Sequence, residues 1–316
     1  MSTEMIRTED LGKQFDDFWA VNGIHLSVSA GEILVLLGPN GAGKTTTIRM
    51  LTSILRPTKG RAWVAGHDVV TEADQVRSAV GVLTEHHGLY ARMNADEYLK
   101  FYSQIYGLSP DHAKNRITEL LDQFGLLEAR KKRLGEYSKG MRQKLALVRA
   151  LLHEPPVILL DEPTSAMDPE SARIVRDAIH NLKRHDRTLI ICTHNLLEAE
   201  EIADQVAIIQ RGKIILNGTM KELRRSLIGP QEYRIEFSAV LDGYHPILPD
   251  GAELLSTGSN WLQYRTAHPE TVNSQVMQIL AQGVVKPLTL SEVYRSLEDI
   301  YLQTVTQNQE GYAHSN

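Results

Sequence analysis

The sequence predicts an α/β protein built on a mostly parallel sheet, followed by a small α+β domain. Three observations carry that prediction. The apolar runs Ile33–Leu37, Val157–Leu160 and Leu189–Cys192 have strand length and are continuous rather than alternating, as in strands covered on both faces. Helical stretches alternate with strands in the second half of the chain, the mark of parallel strand–helix units. At 316 residues the chain exceeds one small domain, and the break Ile228-Gly229-Pro230 separates two stretches of different pattern.

Taken in order, Ile24–Val28 alternates apolar and polar residues and reads as a half-buried strand. Arg61–Ala65 is a further strand after the turn signal Pro57-Thr58-Lys59-Gly60. From about 90 to 153 the pattern is helical, with Tyr98, Phe101, Tyr102 and Ile105 on one stripe and Ile117, Leu120, Leu121 and Phe124 on another. Strands return after Pro155-Pro156, including Val206–Ile209 and Lys213–Leu216. Beyond the break come strands at Tyr233–Phe237 and Trp261–Arg265, then a helix carried by Val272, Val276, Ile279 and Leu280. A closing helix starts at Ser296, whose hydroxyl suits an N-cap, with Asp299 near its positive end. The expected domains are residues 1–228 and 229–316.

Composition narrows the class. Hydrophobic residues make up 42% and charged residues 23%, ordinary for a globular protein with a sizeable core. The net charge of −5 argues against a protein that coats nucleic acid. Cys192 is the one cysteine, which excludes an intrachain disulfide and points to a reducing compartment. The opening MSTEMIRTEDLGKQF lacks the apolar region of a signal peptide, and no run of about 20 apolar residues could span a bilayer. If the protein works on a membrane, a partner supplies the spanning helices.

Gly38-Pro39-Asn40-Gly41-Ala42-Gly43-Lys44-Thr45 fits the phosphate-binding P-loop, in the required place between a buried strand and a helix. Its glycines let backbone N–H groups surround phosphate oxygens, and the helix N-terminus adds partial positive charge. Lys44 is expected to reach the β- and γ-phosphates and Thr45 to bind Mg²⁺, with Thr46 next in the same cradle. Val157–Leu160 delivers Asp161 and Glu162 to the ligand edge of the sheet. Asp161 is placed to hold Mg²⁺ and Glu162 to act as general base on the attacking water.

Tyr137-Ser138-Lys139-Gly140-Met141, leading into the helical run Arg142–Leu152, resembles the signature sequence of the ABC ATPases. Ser165-Ala166-Met167-Asp168 is similar to their D-loop, and Thr193-His194 to their switch histidine. The resemblance covers roughly residues 5–225. It implies a P-loop NTPase fold with a RecA-like sheet, an antiparallel β subdomain and a helical signature subdomain. It also implies ATP and Mg²⁺ as ligands and a head-to-tail dimer closing on two ATP molecules. Ser138 and Gly140 would then face the γ-phosphate held by the other subunit, His194 would contact the same phosphate, and Asp168 would couple the two sites. Phe15 matches the place of the aromatic that stacks on adenine, with Phe18 and Trp19 close by.

Three positions depart from the family pattern. Glu85 stands where a magnesium-contacting glutamine is usual, Lys139 replaces a glycine and Met141 a glutamine. A carboxylate at 85 can still ligate the metal. The style of Tyr137–Gln143 and the ending Ser296–Leu302 resembles the ATPase subunits of bacterial ABC-2-type exporters, whose permease is a separate chain. The expected place is therefore the cytoplasmic face of a membrane, with a homodimer favoured and no nucleic-acid partner. The alternative is a non-catalytic or weakly catalytic partner in a heterodimeric ATPase.

Overall fold

A computed structural model describes residues 3–84, 88–165, 167–183, 187–227, 230–241, 247–283, 285–293 and 296–302. The chain divides into two compact units, Met1–Met220 and Lys221–Asn316. The break read at 228–230 falls largely on residues 228 and 229, outside the described residues.

The first unit opens with β1 (Glu4–Phe15), β2 (Phe18–Ser29), β3 (Ile33–Leu37), α1 (Lys44–Leu51), β4 (Lys59–Val64) and β5 (His67–Asp68). Next come α2 (Ala73–Ala79), β6 (Val80–Leu83), α3 (Ala95–Ile105), α4 (Pro110–Gln123) and α5 (Lys139–Leu151). It continues with β7 (Val157–Asp161), α6 (Pro169–Lys183), β8 (Thr188–Thr193), α7 (Leu196–Ile202), β9 (Gln205–Gln210) and β10 (Lys213–Thr219); α8 (Met220–Leu227) begins at its last residue and otherwise belongs to the second unit.

Six strands form the central sheet in the order β10-β9-β3-β8-β7-β6. All pairs are parallel except β10 against β9. Every residue of β3, β7 and β8 is buried, which is why these runs are continuously apolar. The register brings three strand ends level. Leu37 pairs with Thr193 and Asp161 with Cys192, so β3, β7 and β8 end together and the loops after them open at one edge.

The antiparallel sheet has the order β2-β1-β4-β5. In β2, Ile24, Leu26 and Val28 point inward and His25 and Ser27 outward, as the alternation predicts. The helical segment appears as α3, α4 and α5, with Tyr98, Ile117, Leu120, Leu121 and Phe124 buried. Of the other stripe residues Tyr102 is half-buried and two are exposed. Phe101 is 39% and Ile105 60% exposed, because α3 buries Leu99 and Ser103 beside Tyr98 instead. The basic run Arg130–Arg133 lies in a turn, and Arg130 and Lys131 fasten onto Asp96 at the start of α3.

The second unit contains β11 (Gln231–Phe237), β12 (Glu253–Thr257), β13 (Trp261–Thr266), α9 (Pro269–Gln282), β14 (Pro287–Glu292) and a short helix over 297–302. Its antiparallel sheet runs β12-β13-β11-β14. One face, carrying Tyr233, Ile235, Phe237, Leu262 and Tyr264, packs with Val272, Val276 and Leu280 of α9 into a separate core. Ile279 turns away and is 39% exposed. At the last helix, Asp299 N–H donates to Ser296 Oγ (3.3 Å) and Ser296 N–H to Asp299 Oδ2 (3.0 Å), a reciprocal cap. Among the described residues no helix is long and apolar enough to cross a membrane.

Candidate functional site

The loop from Gly38 to Gly43 joins the end of β3 to α1. Gly43 caps α1 with φ of 112°, a backbone state that L side chains rarely adopt, and a Cβ there would lie 2.5 Å from the Ala20 carbonyl oxygen. Lys44 is buried although it carries a charge. Its Nζ donates to the carbonyls of Gly38 (2.6 Å) and Pro39 (3.3 Å), so the loop curls around its own lysine. The first N–H groups of α1 have no partner within the helix, and with Lys44 they make an anion-binding cradle.

Two carboxylates meet this cradle from β7. Asp161 is buried, and its Oδ2 accepts a 2.7 Å hydrogen bond from Thr45 Oγ1. Glu162, just past the strand, has φ of 52°, a left-handed backbone that costs a non-glycine residue roughly 1–2 kcal/mol. That turn swings its carboxylate to 3.6 Å from Lys44 Nζ and 2.9 Å from His194 Nδ1. The strained backbone is held from two sides. Its N–H donates to the Cys192 carbonyl (2.8 Å), and its carbonyl accepts from Gln143 Nε2 (2.7 Å).

A second buried carboxylate supports the two loops from below. Glu198, on α7, accepts from Thr164 Oγ1 (2.8 Å) in the loop after Glu162 and from Thr193 Oγ1 (3.1 Å) beside His194. Burial pushes its carboxyl above the ordinary value of 4.5, against the opposing pull of the two hydroxyls.

These groups surround a cleft of about 640 Å³. Phe15, Pro39–Thr46, Asp161, Glu162 and His194 line it. Gly38 does not; it sits behind the loop, where its missing side chain makes room for the Ile209 carbonyl. Glu85 lies outside the described residues. Ser138, Gly140 and Asp168 are absent from the lining of this cleft. Ser138 caps α5 by accepting from Met141 N–H (3.2 Å), and Gly140 follows within that helix. Asp168 accepts from Ser171 N–H (2.9 Å), and that backbone bond holds its carboxyl below the ordinary range.

Phe18, named beside Phe15 from the sequence, also lines the cleft; sequence reasoning missed Lys139 and Gln143 on the lining, and Glu198 beneath it. For Glu198 a signal existed, since Asn195 followed three residues later by glutamate is a helix-start pattern. Asn195 does cap α7 by accepting from Glu198 N–H (3.2 Å), but the glutamate side chain turns to the two threonines. Gln143 had no local signal. Trp19 is absent from the lining; a lysine lies 5.3 Å from its ring, as one does from Phe15.

The donors at Thr45 and Asp161 suit Mg²⁺, which takes hard oxygen ligands and usually accepts only one or two from protein beside phosphate oxygens and water. No group of three or more His, Cys, Asp or Glu side chains able to hold a metal occurs among the described residues.

Comparison with known proteins agrees with this geometry. A profile of the ABC transporter family matches residues 21–165. The chain is 40% identical over 227 residues to the ABC transporter ATP-binding protein NatA of Bacillus subtilis (strain 168), covering 70% of this chain and 92% of that one. It is 40% identical over 225 residues to the daunorubicin/doxorubicin resistance ATP-binding protein DrrA of Streptomyces peucetius, covering 71% and 68%. A solved ATP-binding subunit of an ABC transporter superposes with a TM-score of 0.66 at 28% identity, covering 70% of this chain and 92% of that one. With a P-loop NTPase fold and a nucleotide cradle built from its own motifs, the chain belongs to the ABC transporter family as an ATP-binding subunit.

Proposed function

We propose that this subunit hydrolyses ATP to ADP and phosphate and thereby drives export through a separate membrane permease. The observation that supports this best is the Glu162 carboxylate, aimed into the phosphate cradle between Lys44 and His194. Adenine stacks on Phe15 and the triphosphate occupies the loop Gly38–Gly43, reaching Thr45 and Thr46. Lys44 exchanges its contacts with the Gly38 and Pro39 carbonyls for β- and γ-phosphate oxygens. Glu162 takes the proton of a water attacking the γ-phosphorus, and the bond from that phosphorus to the β-phosphate oxygen breaks, its electron pair leaving with ADP. His194 holds the γ-phosphate in line. Thr45 and Asp161 would hold Mg²⁺, with Glu85 as the third residue proposed from the sequence, and the metal would supply neutralisation of the phosphate charge.

The site is completed by a second copy. Ser138 and Gly140 stand off the cleft of their own chain, at the N-terminus of a 13-residue helix, where a hydroxyl and free N–H groups suit the γ-phosphate of a partner. Ser138 Oγ accepts from Met141 N–H, which leaves its hydroxyl proton free to donate. Asp168 couples the two sites across the closed dimer. ATP closes the pair and hydrolysis reopens it. An ABC-2-type permease at the cytoplasmic face of a membrane receives the motion, and the drug-resistance role named for DrrA is the support for export.

The test is Mg²⁺-dependent ATP hydrolysis by the purified chain over a range of protein concentration, beside Glu162→Gln. Specific activity that rises with concentration, and a variant reduced to a trace residual rate, are expected. A wild-type chain that binds ATP yet stays silent at every concentration refutes the catalytic homodimer and points to a heterodimeric partner.

A further inference from the structure

The left-handed turn that aims Glu162 needs an external hold. Glu162 precedes Pro163, and a residue before proline is steered toward extended backbone, yet φ here is 52°. Pro163 has no N–H, so it cannot anchor the turn as a donor. Backbone bonds hold part of it, Glu162 N–H on the Cys192 carbonyl (2.8 Å) and Ser165 N–H on the Glu162 carbonyl (3.2 Å), and one side chain from another element grips the rest. Gln143, 4% exposed on α5, donates from Nε2 to the carbonyl of Glu162 (2.7 Å) and to that of Pro163 (2.8 Å). A side-chain amide nitrogen has two protons, and both are used on consecutive carbonyls.

We propose that Gln143 is a positioning residue for ATP hydrolysis: its amide pins the strained turn so that Glu162 faces the cradle, and it ties that aim to α5. This rests on the reading of Glu162 as the base. The helix that carries Gln143 is capped by Ser138, the residue read as meeting the partner's phosphate. Occupancy of one nucleotide site therefore bears, through a single rigid helix, on the base of the other site. Lysine cannot take this place without burying a charge, and asparagine is one methylene short.

The experiment uses the full chain with Gln143→Met, a similar volume without donors. Its kcat for MgATP is expected to fall on the order of 10- to 100-fold, since small misplacements of a reacting group reach that size. Equilibrium binding of ATP stays at the wild-type level, so the loss is in kcat and not in KM. Gln143→Glu, isosteric but with an acceptor replacing the donor, falls at least as far; it decides the matter if Gln143→Met does not fold. In a Glu162→Gln background, adding Gln143→Met lowers the residual rate no further, because Gln143 acts only through Glu162. Wild-type kcat in either single variant, or a loss that multiplies undiminished in that background, overturns the proposal. Wild-type hydrolysis by Glu162→Gln alone is a different failure: it removes the base, and the positioning role with it.

Discussion

The three glycines of the phosphate loop differ in why they are glycine, and the difference sets a graded prediction. Gly41 has φ of 79° with open space where a Cβ would sit, so Gly41→Ala meets only the backbone penalty, about 1–2 kcal/mol. Gly38 lacks a positive φ, but a Cβ there overlaps the Ile209 carbonyl, and Gly38→Ala meets only overpacking, about 1–3 kcal/mol. Gly43 combines both, with φ of 112° and a Cβ 2.5 Å from Ala20 O, 3.2 Å from Val21 Cγ2 and 3.3 Å from Ile209 Cδ1. Because the nearest of these atoms belongs to strand backbone, it cannot rotate away. Gly43→Ala should therefore destabilise by roughly 2–5 kcal/mol. At about 2–4 °C per kcal/mol for a unit of this size, Gly41→Ala lowers the melting midpoint by roughly 2–8 °C and Gly43→Ala by roughly 4–20 °C. Differential scanning fluorimetry of nucleotide-free protein reads all three. If Gly43→Ala melts no lower than the milder of the other two, the separation into backbone and space is wrong.

Other outcomes concern single side chains. Base stacking is worth about 1–3 kcal/mol, so Phe15→Ala should weaken ATP binding by roughly 5- to 150-fold in a titration, whereas Trp19→Ala should spare affinity and lower only the melting point. Asp96 is held below its ordinary 3.8: burial raises it, but hydrogen bonds from Arg130 and Lys131 outweigh that. Its stabilisation is present above that value and fades as pH falls through the depressed one. Asp96→Asn should lose about 1 kcal/mol at pH 7, with the gap closing in melts near pH 3. Glu198 behaves oppositely, its carboxyl raised chiefly by burial. Protonated it carries no desolvation penalty, and the penalty grows as pH rises past 4.5. The melting midpoint of wild type relative to Glu198→Gln should thus drop between pH 4.5 and 8, and a flat difference would show the carboxyl to be unperturbed.

Residues that act through their neighbours in sequence were legible from sequence; residues that act across the fold were not. The loop Gly38–Thr45, the strand that ends at Asp161, and the cap at Ser296 are each local, and each stands where spacing put it. The strand β1 escaped notice because Ile6, Thr8 and Leu11 are interleaved with charges that face out, leaving no apolar run. The stripe on α3 misled for a related reason: period assigns a face, and tertiary packing decides how wide the buried part is. Phe101 and Ile105 lie beyond that limit. Gln143 and Glu198 acquire meaning only from partners on other elements, two carbonyls for one and two threonines for the other.

The strand order has a consequence for how the chain is made. β3, the strand that carries the phosphate loop, is flanked by β8 and β9, both synthesised long afterwards. Gly31, just before β3, donates to a threonine 157 residues further on. At about 5–20 residues per second, a ribosome needs on the order of ten seconds to deliver that partner. Through that interval the segment Ile-Leu-Val-Leu-Leu has neither of its native neighbours, and it is uncharged, apolar and free of proline. Such a segment is prone to pair with other nascent chains. The helices α3, α4 and α5 emerge within the same interval and can form from local contacts. The yield of active protein should accordingly depend on translation speed and chaperone supply across residues 38–193, a pressure that nothing in the finished active site reveals.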